Sequence, residues 1–120
     1  MKRADVLQTA EKCVCGQRQQ DYGTPENNFQ AIADLWNVYI SHAKPMPSDA
    51  PFWQFDAFDV AMLMALLKVG RIATGTVTDD SLVDACGYLA CGAEIIDGEK
   101  AKDRSEFYKA EAKLMAGGTD

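Results

Sequence analysis

The chain is short of the groups that many enzyme chemistries require. It has a single histidine, His42, and neither Ser81 nor Ser105 lies near it in sequence, which argues against a Ser-His-Asp or Cys-His nucleophile. Its four cysteines, Cys13, Cys15, Cys86 and Cys91, lack zinc-ribbon spacing, so buried free thiols are the expected state. Glycine-rich phosphate loops are absent: Gly70, Gly75 and Gly117-Gly118 fit neither the dinucleotide nor the P-loop spacing. No apolar run approaches the roughly 20 residues needed to cross a bilayer. Strand-like alternation, internal repeats and low-complexity tracts are also missing. Positive charge is in deficit, 12 Lys and Arg against 18 Asp and Glu for a net charge of -6, which excludes a general binder of nucleic-acid polymers. A small anion held by a few local cations stays open.

What is present fits one globular domain of 120 residues, 48% hydrophobic and 25% charged. Met1-Lys2-Arg3-Ala4-Asp5 runs straight into a polar helical pattern, so a cytoplasmic address is the expectation. The most apolar stretch is Phe55–Arg71, with no polar side chain from Val60 to Leu67. It predicts a central helix buried on every side. Asp56 and Asp59 at its start and Lys68 and Arg71 at its end complement the helix dipole.

Around it the periodicity predicts a first helix over 3–19, with Val6, Ala10, Cys13 and Val14 on one face. Gly23 stops the segment, and Thr24-Pro25-Glu26 opens a second helix running to about His42. Residues 44–54, with three prolines, predict a loop whose Phe52 and Trp53 fold back onto the core. The central helix covers about 56–73. A fourth, capped by Thr78 or Asp79, covers 79–97 with Leu82, Ala85, Cys86, Leu89, Ala93 and Ile96 as its core stripe. A short helix after Ser105, carrying Phe107, Tyr108, Ala110 and Leu114, and a loose tail from Met115 complete the chain. The expected fold is all-α, a compact antiparallel bundle of four main helices plus a short C-terminal one, with residues 1–98 as its core and 99–120 as a polar terminal segment. Gly87, Cys91 and Gly92 form a flat face that suits a homodimer or higher homo-oligomer.

Two constellations carry chemical potential. Asp80 and Asp84 are four residues apart and share a helix face, where like charges repel unless a divalent cation intervenes. With Asp59 they form a candidate site for Mg²⁺ or Mn²⁺, which favour hard oxygen ligands. The alternative is that these acids only cap their helices. Lys68 and Arg71 share a face near the end of the central helix, and Arg18 precedes Asp21-Tyr22-Gly23; together they suit phosphate groups, with Tyr22 against a nucleoside. The alternative is that Lys68 and Arg71 satisfy the end of a buried helix. Asp59 and Lys68 are nine residues apart, half a turn out of phase, so they face different neighbours.

The order Arg18, Asp21-Tyr22-Gly23-Thr24-Pro25, Asn28-Phe29, Trp36, Asp59-Val60-Ala61-Met62, Leu67-Lys68, Arg71, Asp80-Ser81-Leu82-Val83-Asp84 and Gly87-Tyr88 resembles a family of small phage and prophage proteins known only as a domain of unknown function. More remotely, the layout is similar to the all-α nucleoside triphosphate pyrophosphatases, the MazG-like and dimeric dUTPase group. That resemblance implies Mg²⁺ held by paired acids on two successive helices. The matching positions are Asp56 and Asp59, then Asp84; Asp replaces Glu in the first pair, and Ser81 stands where the second pair's first acid belongs.

Three functions follow as expectations. The first is Mg²⁺-dependent hydrolysis of a nucleoside triphosphate to monophosphate and pyrophosphate, with Asp59 and Asp84 catalytic, Asp59, Asp80 and Asp84 on the metal, and Arg18, Tyr22, Lys68 and Arg71 on the substrate. The second is a module that binds or sequesters a nucleotide, or another small phosphorylated ligand, without cleaving it. The third is a structural helper whose Lys68 and Arg71 are wholly engaged by backbone carbonyls.

Overall fold

The computed structural model describes residues 1–44 and 54–97 and, for residues 17–19, the backbone alone. The expected return of Phe52 and Trp53 to the core, the helix after Ser105, the tail and the boundary at residue 98 lie outside the described residues. Among those described the fold is all-α: α1 Arg3–Val14, α2 Gln17–Tyr22, α3 Pro25–Ala43, α4 Ala57–Thr74 and α5 Asp79–Asp97.

The predicted first helix is two helices. The chain turns at Cys15 and Gly16, and a Cβ on residue 16 would fall 2.7 Å from the Lys12 carbonyl oxygen. Thr24 caps α3 by accepting the Asn27 N–H, with Pro25 in the first turn. Asp56 and Asp59 form a reciprocal capping box at the start of α4, each carboxylate accepting the other's backbone N–H at 2.9 Å. The Thr78 hydroxyl accepts the Ser81 N–H at 3.2 Å and caps α5.

Helix α4 is central. Antiparallel α3 meets it where Ile32 lies against Gly70, where Trp36 Nε1 donates to the Leu63 carbonyl at 2.7 Å, and where Tyr39 reaches Asp59. Antiparallel α5 meets its other side, Gly92 lying under Met62 and Phe58. Helices α3 and α5 do not pack on each other, so the three form an open layer, and the buried apolar side chains among the described residues are Ile32, Ala61, Leu63 and Ala65.

That openness corrects four expectations. Helix α4 is not buried on every side: Val60 and Val69 are 52% and 44% exposed, because none of the described helices covers that edge. The core stripe of α5 is not the large apolar one. Ser81 and Gly92 are buried and Ala85, Tyr88 and Ile96 half-buried, while Leu82, Cys86, Leu89 and Ala93 face outward. Small residues win this contact because α4 presents Phe58 and Met62 there, and a leucine face would hold the helices apart. Gly92 thus lies inside the α4–α5 contact, and only Gly87 of the supposed flat pair has open space beyond it. The four cysteines are free but exposed, lying on α1, at its C-cap and on the uncovered sides of α5.

Candidate functional site

The acidic residues are engaged separately. Asp59 is fully buried; its Oδ2 lies 2.9 Å from Lys44 Nζ and accepts the Asp56 N–H, and its Oδ1 accepts the Tyr39 hydroxyl at 2.8 Å. Lys44, only 2% exposed, also donates to the Gln54 carbonyl and sits 5.5 Å from the centre of the Phe55 ring. This closed polar cluster pins the end of α3 to the start of α4. Asp84, 49% exposed, pairs instead with Lys68 at 3.0 Å and ties α5 to the middle of α4. Asp80 is exposed in the first turn of α5. Asp59 and Lys68 therefore have different partners, as their spacing requires.

The carboxylates do not fit a shared Mg²⁺ or Mn²⁺. Both oxygens of Asp59 already accept from protein donors, and a cation there would have to displace Lys44 and Tyr39. Among the described residues no three His, Cys, Asp or Glu side chains converge as a metal-holding group. The structure does not bring Asp59, Asp80 and Asp84 into one such cluster.

The basic residues divide as well. Lys68 faces α5, whereas Arg71, one turn on, faces α2: its guanidinium lies 4.8 Å from the centre of the Tyr22 ring, a cation–π distance. The backbone of Arg18 lies in α2 one turn before Tyr22, and its side chain lies outside the described residues.

Two turns clasp to hold Tyr22 beside Arg71. The Thr76 N–H donates to the Asp21 carbonyl at 2.6 Å, and the Thr74 hydroxyl donates to the Tyr22 carbonyl at 3.0 Å. Gly75 lies so close that a Cβ there would fall 2.1 Å from the Asp21 oxygen. Gly23 takes φ of +81°, a left-handed conformation that a side chain would strain. The Tyr-Gly-Thr-Pro run thereby turns α2 into α3 while the end of α4 is locked against it.

Between these turns is a cavity of about 70 Å³ lined by Val14, Tyr22, Gly23, Pro25, Asn28, Phe29 and Arg71. Asn28, on the first turns of α3, is 6% exposed. Its Oδ1 and the Nε of Arg71 are buried without a hydrogen-bond partner. Such orphaned groups are rare in native proteins and cost roughly 1–3 kcal/mol each. The residues that line the cavity thus include the carriers of an unmet acceptor and of an unmet donor on a cation, beside an aromatic ring. Asn28 enters the sequence reading only within the phage-family motif; helical position alone gives it no chemistry. Lys44 and Tyr39 carry no sequence signal for their cluster, because their partner lies across the helix pair.

With this geometry in place, the family can be stated. Residues 5–96 match the model of DUF6378, a domain of unknown function. The chain belongs to that family. It is 37% identical over 83 residues to the Gene 55 protein of Mycobacterium phage L5, covering 69% of this chain and 47% of the relative. It is 30% identical over 92 residues to the Gene 55 protein of Mycobacterium phage D29, covering 77% of this chain and 54% of the relative. The chain spans about half the length of these curated relatives. No solved structure matches. The similarity to phage proteins accords with the first resemblance drawn from the motifs; none of these matches bears on the pyrophosphatase group. Among the described residues no helix is long and apolar enough to cross a membrane.

Proposed function

We propose that this DUF6378 chain binds a nucleotide, or a closely related small phosphorylated molecule, without hydrolysing it. The observation that carries this reading is the buried, unpartnered Nε of Arg71, whose guanidinium lies beside the Tyr22 ring, together with the unpartnered Oδ1 of Asn28, both on residues that line one cavity. A phosphate oxygen accepts from Arg71, a ligand hydroxyl or base N–H donates to Asn28, and the Tyr22 ring packs against the sugar or base. The cavity is far below the roughly 300 Å³ at which ligand pockets begin, so it takes one end of the ligand and leaves the rest over the rim.

Two observations weigh against the other functions. A metal-dependent hydrolase needs carboxylates free to hold Mg²⁺, whereas Asp59 is committed to Lys44 and Tyr39 and Asp84 to Lys68. A ligand-free structural helper needs Arg71 satisfied by backbone, and its Nε is not.

The test is calorimetric titration of the protein with a panel of nucleoside mono-, di- and triphosphates, followed by recovery of the ligand. The expected result is saturable binding, intact nucleotide afterwards, and affinity lowered on the order of 30-fold or more by Arg71→Ala, the loss of one buried charged hydrogen bond. Absence of binding to every nucleotide, or release of pyrophosphate, overturns the reading.

A further inference from the structure

Two helices present apolar stripes that no other described element covers. On α1 the stripe is Val6, Leu7, Ala10, Cys13 and Val14, which fall on one side at helical spacing. Among the described elements helix α1 packs chiefly on the short α2, with Val14 at its end reaching the cavity wall; it buries no residue and leaves Leu7 70% exposed. A helix of 12 residues with no packed face is marginal in water. On α5 the stripe is Leu82, Val83, Cys86, Leu89 and Ala93, flanking the small-residue face that meets α4. Both stripes have the periodicity of core, and both are exposed.

Charge selects what covers them. Helix α5 carries Asp79, Asp80, Asp84, Glu94 and Asp97 and no Lys, Arg or His, so pairing it with its own copy sets acid against acid. Around α1, Lys2, Arg3 and Lys12 outnumber Asp5 and Glu11, and Lys2 and Arg3 flank the start of its stripe. Asp79 and Asp97 lie at the two ends of the α5 stripe. Helix α1 is about 18 Å long and α5 about 28 Å, so the first fits along the second.

We propose that the chain forms a symmetric dimer by arm exchange, α1 of each copy lying along the outer stripe of α5 of the other. The exchange is isologous: one two-fold axis makes the α1–α5 contact twice and closes the assembly. It covers both stripes at once and leaves the Tyr22–Arg71 cavity of each copy in place. The proposal stands independently of the nucleotide reading.

Light scattering on the full chain at micromolar concentration tests it, with Leu7→Asp and Leu89→Asp as variants. Both positions are exposed, so far-ultraviolet circular dichroism should show the helices of α3 to α5 retained. The expected masses are a dimer for the wild type and a monomer for each variant. Mixing the two variants should restore a heterodimer, because Leu89→Asp supplies an intact α1 and Leu7→Asp an intact α5. A monomeric wild type, a dimer that either substitution leaves intact, or a mixture that stays monomeric overturns the proposal.

Discussion

Lys44 and Arg71 show how differently one molecule can place two cations, the first buried and the second half-buried. Lys44 is matched: a carboxylate, a carbonyl and an aromatic ring surround it. Removing its charge strands Asp59 in a dry site, and losing one partner of a buried pair typically costs about 3–5 kcal/mol. Lys44→Met should therefore lower the urea midpoint sharply, and adding Asp59→Asn should recover part of the loss; a midpoint unchanged by Lys44→Met would contradict the matched-pair account. Arg71 is incompletely matched, with an aromatic face but an idle Nε. Arg71→Lys should leave stability within about 1 kcal/mol yet weaken ligand binding, since a point charge cannot replace the planar fork. Titrating the variant beside the wild type checks this. The sequence reading names Arg71, near a helix end with Lys68, and Tyr22, after Arg18, as separate candidates; that the two side chains meet is settled by packing, which no spacing rule shows. It could not tell acids that cap from acids that ligate. Asp56 and Asp59 suit either task, and the deciding partner, Lys44, sits beyond α3 with no spacing rule to link it.

At the scale of the element, local signals placed the helix starts well and long-range packing decided the rest. Thr24-Pro25 and Asp56 mark the openings of α3 and α4 because capping is settled within four residues. The apolar period runs across the break between α1 and α2, so periodicity does not show it. The inward face of α5 is not legible in the sequence, because periodicity shows that a stripe is apolar, not what lies against it. Glycines now separate the two kinds of helix surface. At Gly70 a Cβ would fall 2.6 Å from Ile32 Cγ1, with the Ile32 backbone nitrogen at 3.4 Å, so Gly70→Ala should destabilise by about 1–3 kcal/mol through overpacking. At Gly87 nothing lies within 4 Å, and Gly87→Ala should stabilise by roughly 0.5–1 kcal/mol through helix propensity. Thermal melts of the two variants should move in opposite directions; parallel shifts would contradict the packing described for α3 on α4.

The described residues form an open three-helix layer with an arm, and the two proposals address different places on it. The proposed second copy would cover the outer stripes of α1 and α5. The proposed ligand would meet the unpartnered groups beside the α2–α3 turn. The first proposal is read by mass and the second by the state of one atom. The most direct test of ligand binding is the Arg71 Nε–Hε resonance in ¹⁵N-edited NMR spectra, assigned by its loss in Arg71→Lys, followed through a nucleotide titration of the full chain. The account predicts a large, saturable shift of that resonance as the ligand oxygen takes up the free donor, with the nucleotide intact at the end. A resonance that stays fixed while nucleotide is in excess would contradict it.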